Sequence, residues 1–276
     1  MKGFRGWMMV LAVALLAAGC DGPAEEGEGS VGGEAPVLDD EGEEGSKARA
    51  EEELPVAPTP QVEGPAGELA ARVFEAHGGQ RWPQVEELGF RFVVKEQDEE
   101  TFAATHDWKV WEGVDRVRWT DEEGVEWDVT VNLDDATAEE ASRDGDPIEG
   151  EALEIAGKGA YTRWVNDVYW LLMPLKVFDP GVSLGHEGEL EREGETLEVL
   201  ELSFEGVGLT PGDRYLVQVE PESGEVRAWE MHLQGDRPPQ LVFWDDYQEL
   251  GPLRLSVTRN FEGSERQIIF DELRVK

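Results

Sequence analysis

The chain has 276 residues, 62 of them acidic against 24 basic, for a net charge of −38 at neutral pH. So negative a field opposes binding to DNA, RNA or anionic lipid head groups, because affinity for those comes from Lys and Arg. The single cysteine, Cys20, excludes an internal disulfide and a thiolate metal site in any folded domain.

Residues 1–20 read as a secretory signal peptide. Lys2 and Arg5 form a basic start, twelve apolar residues run from Trp7 to Ala18, and small residues lead into Cys20. A membrane-spanning helix needs roughly 17–25 residues, so an uncleaved anchor is the weaker alternative. Leu16-Ala17-Ala18-Gly19-Cys20 resembles the lipobox of bacterial prolipoproteins, with Ala17 where Leu is usual. That resemblance implies cleavage before Cys20, acylation of its thiol and a lipid anchor in the cell envelope. Inner and outer membrane both stay open. The mature chain then has 62 acidic and 22 basic residues, a net of −40.

Residues 21–66 contain fourteen acidic and two basic residues, eight glycines, six prolines and no aromatic residue. Such a composition cannot bury enough apolar surface to offset the entropy of ordering, so a disordered acidic linker is expected. A flexible chain of that length spans roughly 35–40 Å, enough to hold a domain clear of a membrane.

From residue 67 onward the composition is that of one folded domain holding nine of the ten tryptophans. Leu69, Val73, Phe74 and Ala76 have helical spacing, and His77-Gly78-Gly79 ends that helix. Phe90, Phe92 and Val94 then alternate with more polar neighbours, and Trp108, Val110, Val117, Trp119, Val125, Trp127, Val129 and Val131 continue the strand pattern. The acidic, Gly-containing stretch 134–150 reads as a loop. A second helical pattern starts near Leu153, is firm from Ala160, and runs through Trp164, Val165, Val168, Leu171, Leu172 and Met173 to a stop at Pro174 and Asp179-Pro180-Gly181. Strands follow at 182–191, 196–204, 213–220, 225–233, 239–247, 253–261 and 266–275. Consecutive strands joined by tight turns predict an antiparallel meander, not βαβ units. The fold class expected is mainly β with two helices: a strongly curved antiparallel sheet with the helices packed on its concave side.

Few residues suggest chemistry. Gly181-Val182-Ser183-Leu184-Gly185 fits the G-x-S-x-G pattern of serine hydrolases, but a helix precedes it and a hairpin follows, the reverse of the hydrolase context. An ordinary strand start is the better reading of Ser183, although a hydrolase using His232 is a distant alternative. His77, His106, His186 and His232 form no H-x-x-x-H pair, and Asp144-Gly145-Asp146 and Asp245-Asp246 lack the spacing of a calcium loop. No metal site, no cofactor and no catalytic residue are expected. The tryptophans read mainly as core. With Trp164, Val168, Leu171, Leu172, Met173 and Phe178 they could instead line an apolar cavity under the second helix. Lys176 could meet a head group at its mouth, but a local ion pair with Asp179 is favoured.

Three segments carry a family resemblance: Ala76-His77-Gly78-Gly79 with Trp82; Tyr169 to Lys176 through Pro174 into Asp179-Pro180-Gly181; and Phe204 to Asp213 through Gly208 and Pro211, with Tyr215. Together they resemble an uncharacterised family of bacterial envelope proteins similar to the periplasmic lipoprotein carrier and receptor (LolA/LolB-like) superfamily. The resemblance implies an open half-barrel with a helical lid over a cavity for acyl chains, and hence lipid acyl chains or lipoproteins as partners. It needs hollow apolar room beneath the helix. A filled interior favours the alternative, a structural or partner-binding envelope module.

Overall fold

The computed structural model describes residues 54–204, 206, 209–235 and 237–276. Cys20, the signal peptide and linker residues 21–53 lie outside the described residues, as does Gly208. The described chain from Pro55 to Lys276 belongs to one unit.

Residues 55–63 precede the first helix as an extended strap. Ala57 N–H donates to the Gln80 carbonyl at 2.7 Å, Gln84 Nε2 to the Pro55 carbonyl at 3.1 Å, and Gln80 Nε2 to Thr59 Oγ1 at 2.8 Å. Thr59 is buried. The strap belongs to the stretch 21–66 expected as linker, ahead of the expected boundary at residue 67. Composition cannot reveal this, because the strap is fixed mostly by backbone carbonyls and by polar groups that belong to other segments.

Helix α1 spans Pro65–Ala76, with Pro in its first turn, where the missing N–H costs nothing. It buries Leu69, Ala70 and Val73. His77 caps it, and Gly78 adopts φ +84°, which turns the chain away. A side chain at Gly78 would put its Cβ 2.3 Å from the Pro252 carbonyl oxygen, so only glycine fits this corner.

Six strands follow: β1 Glu87–Glu96, β2 Glu99–Lys109, β3 Val114–Thr120, β4 Glu126–Asn132, β5 Thr137–Arg143 and β6 Asp146–Pro147. Helix α2, Gly150–Leu172, comes next, and then seven more strands: β7 Val182–Arg192, β8 Glu195–Phe204, β9 Arg214–Val219, β10 Val226–His232, β11 Gln240–Leu250, β12 Leu253–Phe261 and β13 Arg266–Val275. All pairings are antiparallel and form one 13-stranded sheet in the order β6-β5-β4-β3-β2-β1-β13-β12-β11-β10-β9-β8-β7. The edges β6 and β7 do not pair, so the barrel stays open. The mainly β, antiparallel sheet with two helices is what the alternating pattern predicted, and its open form is what the resemblance implied.

This order makes two meanders, β1–β6 and β7–β13, joined where β1 pairs with β13 (Phe92 opposite Phe270). The connection between them, which contains α2, therefore runs from one edge of the sheet to the other. Its 23 residues give a helix of roughly 35 Å. Its first half lies on β3, β4 and β5 over a core of small residues, with Ala156 and Ala160 against Val117, Val129, Val131 and Ala141. Its second half joins the larger core of aromatic and aliphatic side chains, which also takes in Leu69 and Val73 of α1.

The stretch 134–150, expected as a loop, contains β5 and β6. Its inward positions are Ala138 and Ala141, too small to register as a strand face in a Glu-rich sequence. The firm start of α2 also lies earlier than Ala160, because Gly157 is a packing residue and not a helix breaker. A Cβ there would sit 2.6 Å from the Ala138 backbone nitrogen.

Candidate functional site

The inner face is built by alternation along each strand. On β12, Leu253, Leu255, Val257, Arg259 and Phe261 are all buried. On β2 the inward residues are Ala104, His106 and Trp108, and on β3 they are Asp115, Val117 and Trp119. A charged group at an inward position of such a series is the sequence signal for a buried polar site. Arg259, His106 and Asp115 carry that signal, and none was selected from the sequence alone.

The residues expected to line a cavity meet beneath α2. Val168, Leu171, Leu172 and Met173 are fully buried, Trp164 is nearly so, and Phe178 is partly buried edge-on to Phe74 at 5.7 Å. Beneath the helix they meet closely packed aromatic rings. Trp229 lies 5.0 Å from Tyr215, 6.0 Å from Tyr169 and 4.8 Å from Trp170 between ring centres, while Trp164 meets Trp108 at 5.4 Å. Two surface depressions, of about 200 and 400 Å³, are lined elsewhere, by residues such as Gln97 and Asn260 in one and Thr105 and Ser142 in the other. Among the described residues, aromatic rings thus pack into the region that the resemblance gave to an acyl-chain cavity. Spacing shows which residues face inward, but not whether their volumes sum to fill the space.

Two polar clamps fasten α2 to the sheet. In the first, Arg259 Nη2 donates to the Trp170 carbonyl at 2.7 Å. Its Nη1 serves the Ser256 and Thr258 carbonyls at 3.2 and 3.0 Å and Ser256 Oγ at 2.6 Å. The guanidinium lies 3.5 Å above the Trp244 ring, its cross-strand neighbour, and is fully buried. Burial pulls its pKa down to about 9, against the weaker opposing pull of Tyr247 and Asp245, so it is a cation at neutral pH. No Asp or Glu among the described residues forms an ion pair with it. Arg259 Nε and the indole nitrogens of Trp164, Trp229 and Trp244 are buried without a hydrogen-bond acceptor. Each such donor costs about 1–3 kcal/mol.

The second clamp is His106, held between Asp115 of β3 at 2.6 Å (Nδ1) and Asp167 of α2 at 3.0 Å (Nε2). All three are buried, and the His106 ring stacks on Phe90 at 4.5 Å. Burial lowers its pKa, but the charge and hydrogen bond of Asp115, with those of Asp167, outweigh this and raise it to about 9. The imidazolium is the stable form, donating from both nitrogens.

The family-motif residues build corners. His77 Nδ1 donates to the Val73 carbonyl at 2.7 Å, Nε2 faces the Tyr247 hydroxyl at 3.2 Å, and burial drops its pKa to about 4. A Cβ at Gly79 would meet the Phe74 ring at 2.4 Å, and Trp82 packs on Trp108 at 5.9 Å. Pro174 is buried in a single 3-10 turn after α2. Lys176 forms a buried ion pair with Asp179; burial lowers the lysine pKa and raises that of the carboxyl, each opposed by the partner. Pro180 and Gly181 (φ +86°) then turn the chain into β7. After Pro211, Asp213 takes hydrogen bonds from Thr210 Oγ1 at 2.6 Å, Tyr215 Oη at 3.0 Å and Gln234 N–H at 2.7 Å.

Ser183 and His232 are not brought together. Ser183 lies in β7 opposite Ser203, and β8 and β9 separate that strand from His232 on β10, three strand spacings or roughly 14 Å away. His232 instead contacts Glu230 at 2.7 Å. No group of three potential metal ligands occurs among the described residues.

No protein-family model and no curated protein sequence matches this chain. Solved structures do. It is similar to a DUF1329 family protein from Desulfovibrio piger, at 10% identity and a TM-score of 0.42, over 76% of this chain and 91% of that one. It is also similar to a putative outer membrane lipoprotein-sorting protein domain from Vibrio parahaemolyticus, at 10% identity and a TM-score of 0.41, over 76% and 91%. A LolA superfamily protein from Nitrosomonas europaea is similar at 12% identity and a TM-score of 0.46, over 75% and 93%. The likeness is one of fold.

Proposed function

We propose that the chain is a non-catalytic envelope lipoprotein, tethered through acylated Cys20, that binds an acyl chain or an acylated polypeptide between α2 and the sheet. The supporting observation is topological. Helix α2 is tied to both edges of an open sheet and covers an apolar concave face. A helix so placed can lift without leaving, and on this reading the conformation described is the closed one.

The magnitudes permit this. Opening breaks the Arg259–Trp170 and His106–Asp167 bonds, charged hydrogen bonds worth about 1.5–3 kcal/mol each, and separates apolar surfaces. An acyl chain that buries about fourteen methylenes gains roughly 11 kcal/mol and covers those surfaces again. Protein isolated from membranes and analysed by organic extraction and mass spectrometry should carry close to one equivalent of acyl lipid beyond the anchor on Cys20.

The filled interior favours a second reading, a tethered partner-binding module with a permanent core. On that reading the extract contains the anchor lipids alone. A Cys20→Ser variant separates the tether from the ligand: it should leave the membrane fraction and still carry lipid.

A further inference from the structure

We propose that Arg259, Trp229 and Trp244 form a receptor for the carboxylate of a long-chain carboxylic acid, an assignment that rests on the acyl-binding reading above. Arg259 is a fully buried cation that forms no ion pair with an Asp or Glu among the described residues, in a chain of net charge −38. Of its five N–H donors, the two on Nη1 and one on Nη2 are engaged, all by uncharged oxygens. Nε has no acceptor, and neither do the indole nitrogens of Trp229 and Trp244. These groups form one contact cluster. The guanidinium lies over Trp244, and Trp244 meets Trp229 edge-on at 5.2 Å.

When α2 lifts, the Trp170 carbonyl leaves with it and the Nε/Nη2 edge of Arg259 becomes a free two-donor fork. A carboxylate matches that fork with two oxygens and balances its single charge. An ester or amide carbonyl balances no charge. A phosphomonoester brings more negative charge than this one cation offsets, and Lys176 is already paired with Asp179. The acyl tail then runs along the inner face on Val217, Val242 and Leu255, all buried in the same core.

The test compares palmitate with methyl palmitate, which share a tail, by binding to the delipidated mature chain. Palmitate is expected to bind at least tenfold more tightly. Arg259→Met should abolish that preference while keeping methyl palmitate binding, and Trp244→Phe, which keeps a ring but loses the N–H, should reduce it severalfold. Equal affinity for acid and ester overturns the carboxylate receptor and leaves the acyl site standing, as does a preference that survives in folded Arg259→Met protein. Binding of neither compound overturns both readings. If Arg259→Met does not fold, the wild-type comparison and Trp244→Phe decide.

Discussion

His106 and His77 are both buried, yet they respond to pH in opposite senses because only His106 is hydrogen-bonded to carboxylates. His106 holds its proton more tightly in the folded state, to about 9 against an ordinary 6.5. Its contribution to stability is therefore complete below pH 6.5 and is lost as pH rises toward 9, on the order of 3 kcal/mol. His77 is depressed to about 4, so its neutral burial stabilises above pH 6.5 and is lost as pH falls toward 4. Denaturant unfolding measured against pH should show stability declining on both sides of this point. Asp167→Asn should flatten the alkaline limb and His77→Gln the acid limb; limbs unmoved by these variants would contradict the assignments. At this scale the sequence was legible only in part. The left-handed helix end at Gly78 and the Lys176–Asp179 pair were readable because both are local in sequence. The His106–Asp167 pair, separated by 61 residues, was not.

Helix α2 shows how context reverses an intrinsic propensity. Gly→Ala in a helix interior normally stabilises by up to about 1 kcal/mol. At Gly159 the new Cβ would meet only Arg163 Nη1 at 3.6 Å, so Gly159→Ala should raise stability by about that amount. At Gly157 it would collide with β5 at 2.6 Å, and Gly157→Ala should lower stability by about 1–3 kcal/mol. Thermal melts of the two variants should move in opposite directions. The same contact explains why the sequence placed the firm helix too late and read β5 as loop: small residues on both elements buy a close approach and erase the hydrophobic signal of each. The seven strands after residue 181 were legible because large apolar residues alternate there and Gly or Pro marks most of the turns.

For the molecule as a whole, the joint between the two meanders matters most. β13 pairs with β1 and β12, so the last strand of the chain holds the first strand of the sheet. Removing residues 264–276 should abolish cooperative unfolding and leave both halves with open edges prone to aggregation. The sequence predicted the class of architecture but not this closure, because long-range strand order is not encoded in local alternation. Nor could it show that the concave side is packed. The acyl-binding account therefore depends on α2 opening over its buried tryptophans, Trp164, Trp170, Trp229 and Trp244. Tryptophan fluorescence quenching by a dibrominated long-chain fatty acid reads that event directly, since bromine quenches only at contact. The account predicts saturable quenching at one chain per protein, relieved by excess palmitate. Fluorescence that shows no saturable quenching would contradict it and leave the filled-core module in its place.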